Sequence, residues 1–146
     1  MADILHQVGI NATPAQLYGV LTKESGLKSW WSEHSRIEPT IGSVASVSFY
    51  NNAVTFNFRI NELIPNQKVV WEIVEGPPDW VNTTITWTIG ENEGQTFIHF
   101  AQRGFASTEG NFAGVNYNWG WYVTSIKFLL EKGEGMPHTD ADLPAS

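Results

Sequence analysis

The stretch Asn116–Pro137 reads NYNWGWYVTSIKFLLEKGEGMP, and its reading decides the fold. It ends as a helix should, with Glu131 and Lys132 followed by Gly133 as C-cap. Trp119, Val123, Ile126 and Leu130 recur at i, i+4, i+7 and i+11, which is one helical face. The pattern predicts a long terminal helix over 115–132. Yet its start carries Tyr117, Trp119, Trp121 and Tyr122 within six residues. A covering helix needs an apolar stripe, not bulky rings crowded at one end. That end faces either packed core or a space for something else.

Upstream, most of the chain reads as strands. ILHQVGINA at 4–12 alternates apolar and polar residues. TPAQLYGVLT follows, with Thr13 as a cap, Pro14 at the first helical position and Gln16 completing a capping box. It predicts a helix over 14–22, and SGLKSWWS a second over 25–31. SVASVSFY puts Ala45, Val47 and Phe49 on one face, and NN at 51–52 marks a hairpin turn. VTFNFRI aligns Val54, Phe56, Phe58 and Ile60. KVVWEIVE aligns Val69, Trp71 and Ile73, and NTTITWTI aligns Ile85, Trp87 and Ile89. Between them EGPPDW reads as a loop, because Gly76, Pro77 and Pro78 cannot continue a strand. A last strand runs over 95–103, and 104–114 reads as a Gly-rich loop. Each strand has one apolar face, as in a sheet covered on one side only. A strongly curved sheet cannot lie flat against one straight helix, so a gap is expected beside the aromatic half of the helix. Residues 1–133 read as one domain, and 134–146 as a polar, loosely ordered tail.

Composition narrows the function. The 146 residues carry a formal charge of −7, which argues against nucleic acid or an anionic membrane surface as partner. No run of 18 apolar residues exists, so no membrane-spanning helix is expected. The start MADILHQVGINATP lacks the basic and apolar regions of a secretory signal. Without one, the sequons NAT at 11–13 and NTT at 82–84 read as chance. There is no cysteine, which excludes disulfides and thiol chemistry and suits the cytoplasm. Seven tryptophans, eight phenylalanines and four tyrosines supply either a well-filled core or the walls of a cavity.

Taken in order, these patterns resemble the SRPBCC superfamily, the helix-grip fold shared with the birch-pollen allergen and START lipid-binding domains. Within it the chain is most similar to the AHSA-type group, named for activators of a heat-shock chaperone ATPase. INATPAQLYGVLT, LKSWWS, KVVWEI, TITWTI, IHFAQRGF and NWGWYVTSIKFLLEKGEGMP carry the likeness across nearly the whole chain. Two departures stand out. The chain has IGSV at 41–44 where the family often has a double glycine. It has Gln102 where the family often has histidine, so an amide that does not titrate stands in place of an imidazole that does. The resemblance implies an α+β helix-grip fold: six or seven antiparallel strands curved around a long C-terminal helix, with two short helices after the first strand.

Candidate residues follow from strand phase. Phe49, Phe58, Trp71, Trp87 and Phe100 point inward, and Trp119, Tyr122 and Val123 meet them from the helix. Together they form the expected ligand-binding wall, with Gln102 and the Tyr122 hydroxyl as polar handles. A buried amide needs partners, so a bond from Gln102 to a loop at the strand end competes with ligand contact. His6 is inward by phase and His99 outward. His34 is placed in a loop and His138 in the tail. Four histidines without paired spacing give no metal site, and HTDAD at 138–142 reads as a solvated acidic tail. Trp30 and Trp31 are adjacent, so on a helix they cannot share a face; one packs inward and the other borders the cavity mouth. No catalytic motif is present. The expected function is non-catalytic binding of a small apolar or aromatic ligand, without metal or cofactor. Alternatives are a co-chaperone-like protein interaction, with a homodimer possible, and a cyclase or dehydratase in the same cavity. The last would need an ionisable group inside, for which His6 is the candidate.

Overall fold

A computed structural model describes residues 1–140. Seven strands form one antiparallel sheet. In chain order they are β1 (Ala2–Ile10), β2 (His34–Arg36), β3 (Val44–Phe49), β4 (Val54–Ile64), β5 (Lys68–Glu75), β6 (Thr84–Asn92) and β7 (Gln95–Phe105). Their spatial order is β1-β7-β6-β5-β4-β3-β2. Consecutive hairpins build most of it. The exception is β1, which pairs with β7 from Ala2 opposite Phe105 to Ile10 opposite Thr96. Helices α1 (Pro14–Thr22) and α2 (Glu24–Trp30) follow β1, and α3 (Phe112–Lys132) closes the fold. This is the α+β helix-grip arrangement. No helix among the described residues is long and apolar enough to cross a membrane.

Local chemistry explains the elements. The Thr13 hydroxyl accepts from Gln16 N at 3.1 Å and Gln16 Oε1 accepts from Thr13 N at 2.9 Å, a complete capping box. Helices α1 and α2 meet where Gly26 lies against Val20; a Cβ there would sit 2.5 Å from the Val20 carbonyl oxygen. The β3–β4 hairpin turns through Tyr50, Asn51 and Asn52, all at positive φ, which asparagine tolerates better than most residues. Helix α3 starts three residues before the predicted 115, and β7 runs two residues past Arg103.

The core lies between the inner sheet face and the helices. Ala45, Val47, Phe56, Phe58, Trp71, Ile85, Trp87, Ile98 and Phe100 are all buried there, as alternation predicts. Trp119, Val123 and Ile126 press onto them from α3. Near its end α3 is tied to β1. Lys127 Nζ donates to the Gly9 carbonyl at 2.6 Å and to Glu131 Oε2 at 2.9 Å. Glu131 Oε2 also accepts from Asn11 N at 2.8 Å. That backbone bond, then the lysine, holds the Glu131 carboxyl below its usual range.

Two expectations need correction. His34 is not in a loop: it opens β2, a three-residue edge strand paired with β3. Nor are residues 134–140 a loose tail. They form a strap docked across α2, β2 and the β3–β4 turn. Buried Ser125 on α3 anchors it, donating to the Trp30 carbonyl at 2.9 Å and accepting from Met136 N at 2.6 Å. Gly135 packs so tightly on the Ser29 carbonyl that no Cβ would fit. His138 is buried. Its N donates to the Trp31 carbonyl, its carbonyl accepts from Glu33 N, and its Nε2 accepts from Tyr50 N at 3.0 Å.

Candidate functional site

At the N-terminal half of α3 the helix and sheet part company, leaving an open cleft of about 250 Å³. Val115, Asn118, Trp119 and Tyr122 line it from the helix, at i, i+3, i+4 and i+7. Phe49 ends β3, and Val54 and Phe56 begin β4 on the opposite side. The β5–β6 loop closes the far wall with Pro77, Asp79 and Trp80, and Trp31 forms part of the floor. Rings dominate the walls. Phe56 and Trp80 lie 4.0 Å apart between centroids, Trp80 and Trp119 6.1 Å, and Phe49 and Tyr122 6.2 Å.

Trp80 is a loop residue held firmly. Its N donates to the Pro77 carbonyl at 2.9 Å, and its carbonyl accepts from the Thr83 hydroxyl at 2.6 Å. Gly76 permits the approach of this loop to β4. It sits at φ +151°, and a Cβ would be 3.0 Å from the Phe56 ring.

Behind the cleft runs a buried relay. Trp119 Nε1 donates to Gln102 Oε1 at 2.7 Å, and Gln102 Nε2 donates to Thr83 Oγ1 at 3.0 Å. Thr83 in turn donates to the Trp80 carbonyl. Trp80 and Trp119, two of the three cleft tryptophans, are thus joined through one amide whose oxygen and nitrogen are each used. Gln102 points inward as its phase predicts, but it meets the two tryptophan-bearing elements and not the cleft.

Residues 11–131 match the family described as Activator of Hsp90 ATPase homolog 1-like protein. The chain belongs to this family. It is an AHSA-type member of the SRPBCC superfamily. Among solved structures it is similar to the Aha1 dimer from Colwellia psychrerythraea. Identity is 33%, with 92% of this chain and 100% of that chain covered and a TM-score of 0.85. The fold is shared with SSP2350 from Staphylococcus saprophyticus at 16% identity, covering 94% of this chain and 98% of that one, TM-score 0.78. MLL2253 from Mesorhizobium loti also shares it at 17% identity, covering 91% and 99%, TM-score 0.79. No curated protein matches the chain.

In this AHSA-type domain the predicted wall divides in two. Phe49, Trp119 and Tyr122 line the cleft. Phe58, Trp71, Trp87, Phe100 and Val123 do not; they are buried in the closed core behind it. There Trp71 and Trp87 touch each other edge to face at 5.6 Å. Their indole N–H groups are buried without a hydrogen-bond partner among the described residues. Sequence reasoning missed Phe56, Trp80 and Asp79 as wall residues. Phe56 was read only as core, and a tryptophan in a proline-rich loop carries no phase. Trp30 and Trp31 both turn inward and stack at 5.2 Å with 2° between their planes. The helical argument against this fails because Trp31 is the C-cap of α2, outside the helix proper. Trp30 packs in the core, its Nε1 donating to the Val20 carbonyl at 2.7 Å, while Trp31 reaches the cleft.

The histidines sort differently. His99 is exposed on the outer sheet face, and His6 faces α3 away from the cleft, its Nε2 buried without a partner among the described residues. His34, Glu33 and Asp140 bring their polar atoms within 4.8 Å of one another. Sequence spacing cannot reveal this, since the strap delivers Asp140 from across the chain. His34 Nε2 lies 2.8 Å from Asp140 Oδ2, and Asp140 Oδ1 accepts from Asn51 N at 3.1 Å. The histidine contact above all lowers the Asp140 carboxyl below its usual range. These groups pair with each other and fasten the strap. Of HTDAD, residues 141 and 142 lie outside the described residues.

Proposed function

We propose that this domain binds a small, largely apolar or aromatic ligand in the cleft and does so without catalysis. The observation that carries the reading is an open, ring-walled cleft directly beside a core packed with the same residue types. Ligand sites combine such walls with a few polar groups at fixed places. Asn118, Asn111 and Asp79 supply these at the rim. The cleft's volume suits a compact ligand and not a long lipid chain. A cytoplasmic location belongs to the same proposal and rests on the cysteine-free sequence. The neutral dye N-phenyl-1-naphthylamine tests the binding. It is expected to quench tryptophan emission saturably at one site per chain, and Tyr122→Ala is expected to weaken it. Absence of saturable binding by any compact apolar probe would sink the reading.

A second reading is protein interaction. It is favoured by the dimeric state of the Colwellia protein and by the family's description as activators of a chaperone ATPase. On α3, Tyr117 and Trp121 present rings outward, 72% and 48% exposed. A sedimentation run and a chaperone pull-down, each repeated with Tyr117→Ser, separate a homodimer from a chaperone complex. A cyclase or dehydratase would need an acid or base in the cavity; His6 does not line it, and the carboxylate that does is the exposed Asp79.

A further inference from the structure

We propose that the cleft's ligand carries a positive charge: an alkylammonium or protonated amine head set against the ring faces, with Asp79 as its counter-charge. The inference rests on the binding reading above and narrows it to a ligand class. The walls supply the first argument. The face of an aromatic ring is the negative side of its quadrupole and attracts a cation placed over it. Phe49, Phe56, Trp80, Trp119 and Tyr122 surround one small volume, so a compact cation there meets several rings at once. Tryptophan is the strongest of these hosts, and two of the lining rings are the indoles of Trp80 and Trp119, 30° from parallel with centroids 6.1 Å apart.

The second argument is charge. Among the described residues Asp79 is the one charged residue lining the cleft, and no lysine, arginine or histidine lines it. Asp79 is exposed and has no ion pair or hydrogen bond among the described residues. Its charge is therefore available to a ligand. An anion would meet a carboxylate and negative ring faces together, with no cationic side chain to offset them. A neutral ligand would gain at most a hydrogen bond from Asp79, whereas a cation gains its charge as well. The chain's net charge of −7 acts in the same direction, raising the local concentration of cations.

An isosteric pair of probes tests this without any mutation. Phenyltrimethylammonium and tert-butylbenzene share a shape, with nitrogen and its charge exchanged for carbon. Titration at low salt, read by tryptophan emission, is expected to show the cation binding about tenfold or more tighter, the scale of a desolvated cation–π site. Asp79→Asn is expected to weaken the cation about three- to tenfold and leave tert-butylbenzene unchanged. Added salt is expected to act on the cation alone. Equal binding of the pair, or tighter binding of the hydrocarbon, overturns the charged-ligand inference and leaves apolar binding standing. Binding of neither probe overturns both. An Asp79→Asn protein that holds the cation as well as the parent does removes Asp79 as the counter-charge and overturns the inference as stated.

Discussion

Two neighbouring regions of this molecule are built from the same residues and behave differently. Behind the cleft, Trp87 and Phe100 meet at 4.8 Å and Phe58 and Trp71 at 4.5 Å, with no ring exposed. In the cleft, Phe49, Phe56, Trp80 and Tyr122 also approach one another, but each borders the open volume. Residue type does not separate the two. Geometry does: strand phase aims the first set under the middle of α3, whereas the second set sits at strand ends, on a loop and on the helix's first turns. There the sheet curves away from the straight helix. Trp119 belongs to both regions. One side packs on Phe100 at 4.4 Å and the other faces the cleft.

The largest expected effect is at that boundary. Trp119→Ala should cost about 3–5 kcal/mol as a large core truncation. It also strands the buried Gln102 oxygen, which adds roughly 1–3 kcal/mol. Urea denaturation reads the sum, and a cost below about 2 kcal/mol would mean Trp119 is cleft wall alone. Because this variant removes core and wall together, it cannot by itself tell the regions apart. Trp87→Ala can. It should cost about 3–5 kcal/mol while the surviving folded protein keeps its probe affinity.

Gln102→Leu comes next. It leaves the Trp119 N–H and the Thr83 hydroxyl short of a partner, at a cost of roughly 1–3 kcal/mol by thermal denaturation. If the relay positions Trp80 and Trp119, probe affinity falls as well; unchanged affinity would confine Gln102 to the core. Tyr122→Ala, on a half-buried ring, should cost only about 1 kcal/mol and weaken the probe about tenfold. The reverse pattern would make the cleft an accident of packing.

The smallest effect concerns the strap. Asp140 has a folded-state value below the ordinary carboxylate value. Its contribution is therefore complete above that ordinary value and is lost as pH falls through the depressed one. NMR of the Asn51 amide, which donates to Asp140, should report this release on acidification, and Asp140→Asn should abolish the step. A step that persists in Asp140→Asn would assign the release to another group.

The fold was legible because alternation and helical spacing are local signals. Trp71, Trp87 and Phe100 went to the right face on that basis. Where the signal is not local, reading stopped. Strand β2 has three residues, too few to show a period. The strap is polar, and its partners Trp31, Glu33 and Tyr50 lie far away in sequence. Trp80 lies in a loop with no period at all, so nothing in the sequence says which way it turns. The cleft is made largely of such residues, which is why strand phase and helical spacing could not give its membership.

The pairing of β1 with β7 has a consequence for how the chain is made. Strand β1 is synthesised before β2 to β6, with Ile4, Val8 and Ile10 ready to be buried, yet its neighbour in the sheet, β7, follows all of them. Until residues 96–105 emerge, β1 has no partner for its backbone. Closing so long a loop is the slow kind of contact in folding. During that wait the nascent chain exposes an apolar strand edge, the feature that invites mispairing with a second chain.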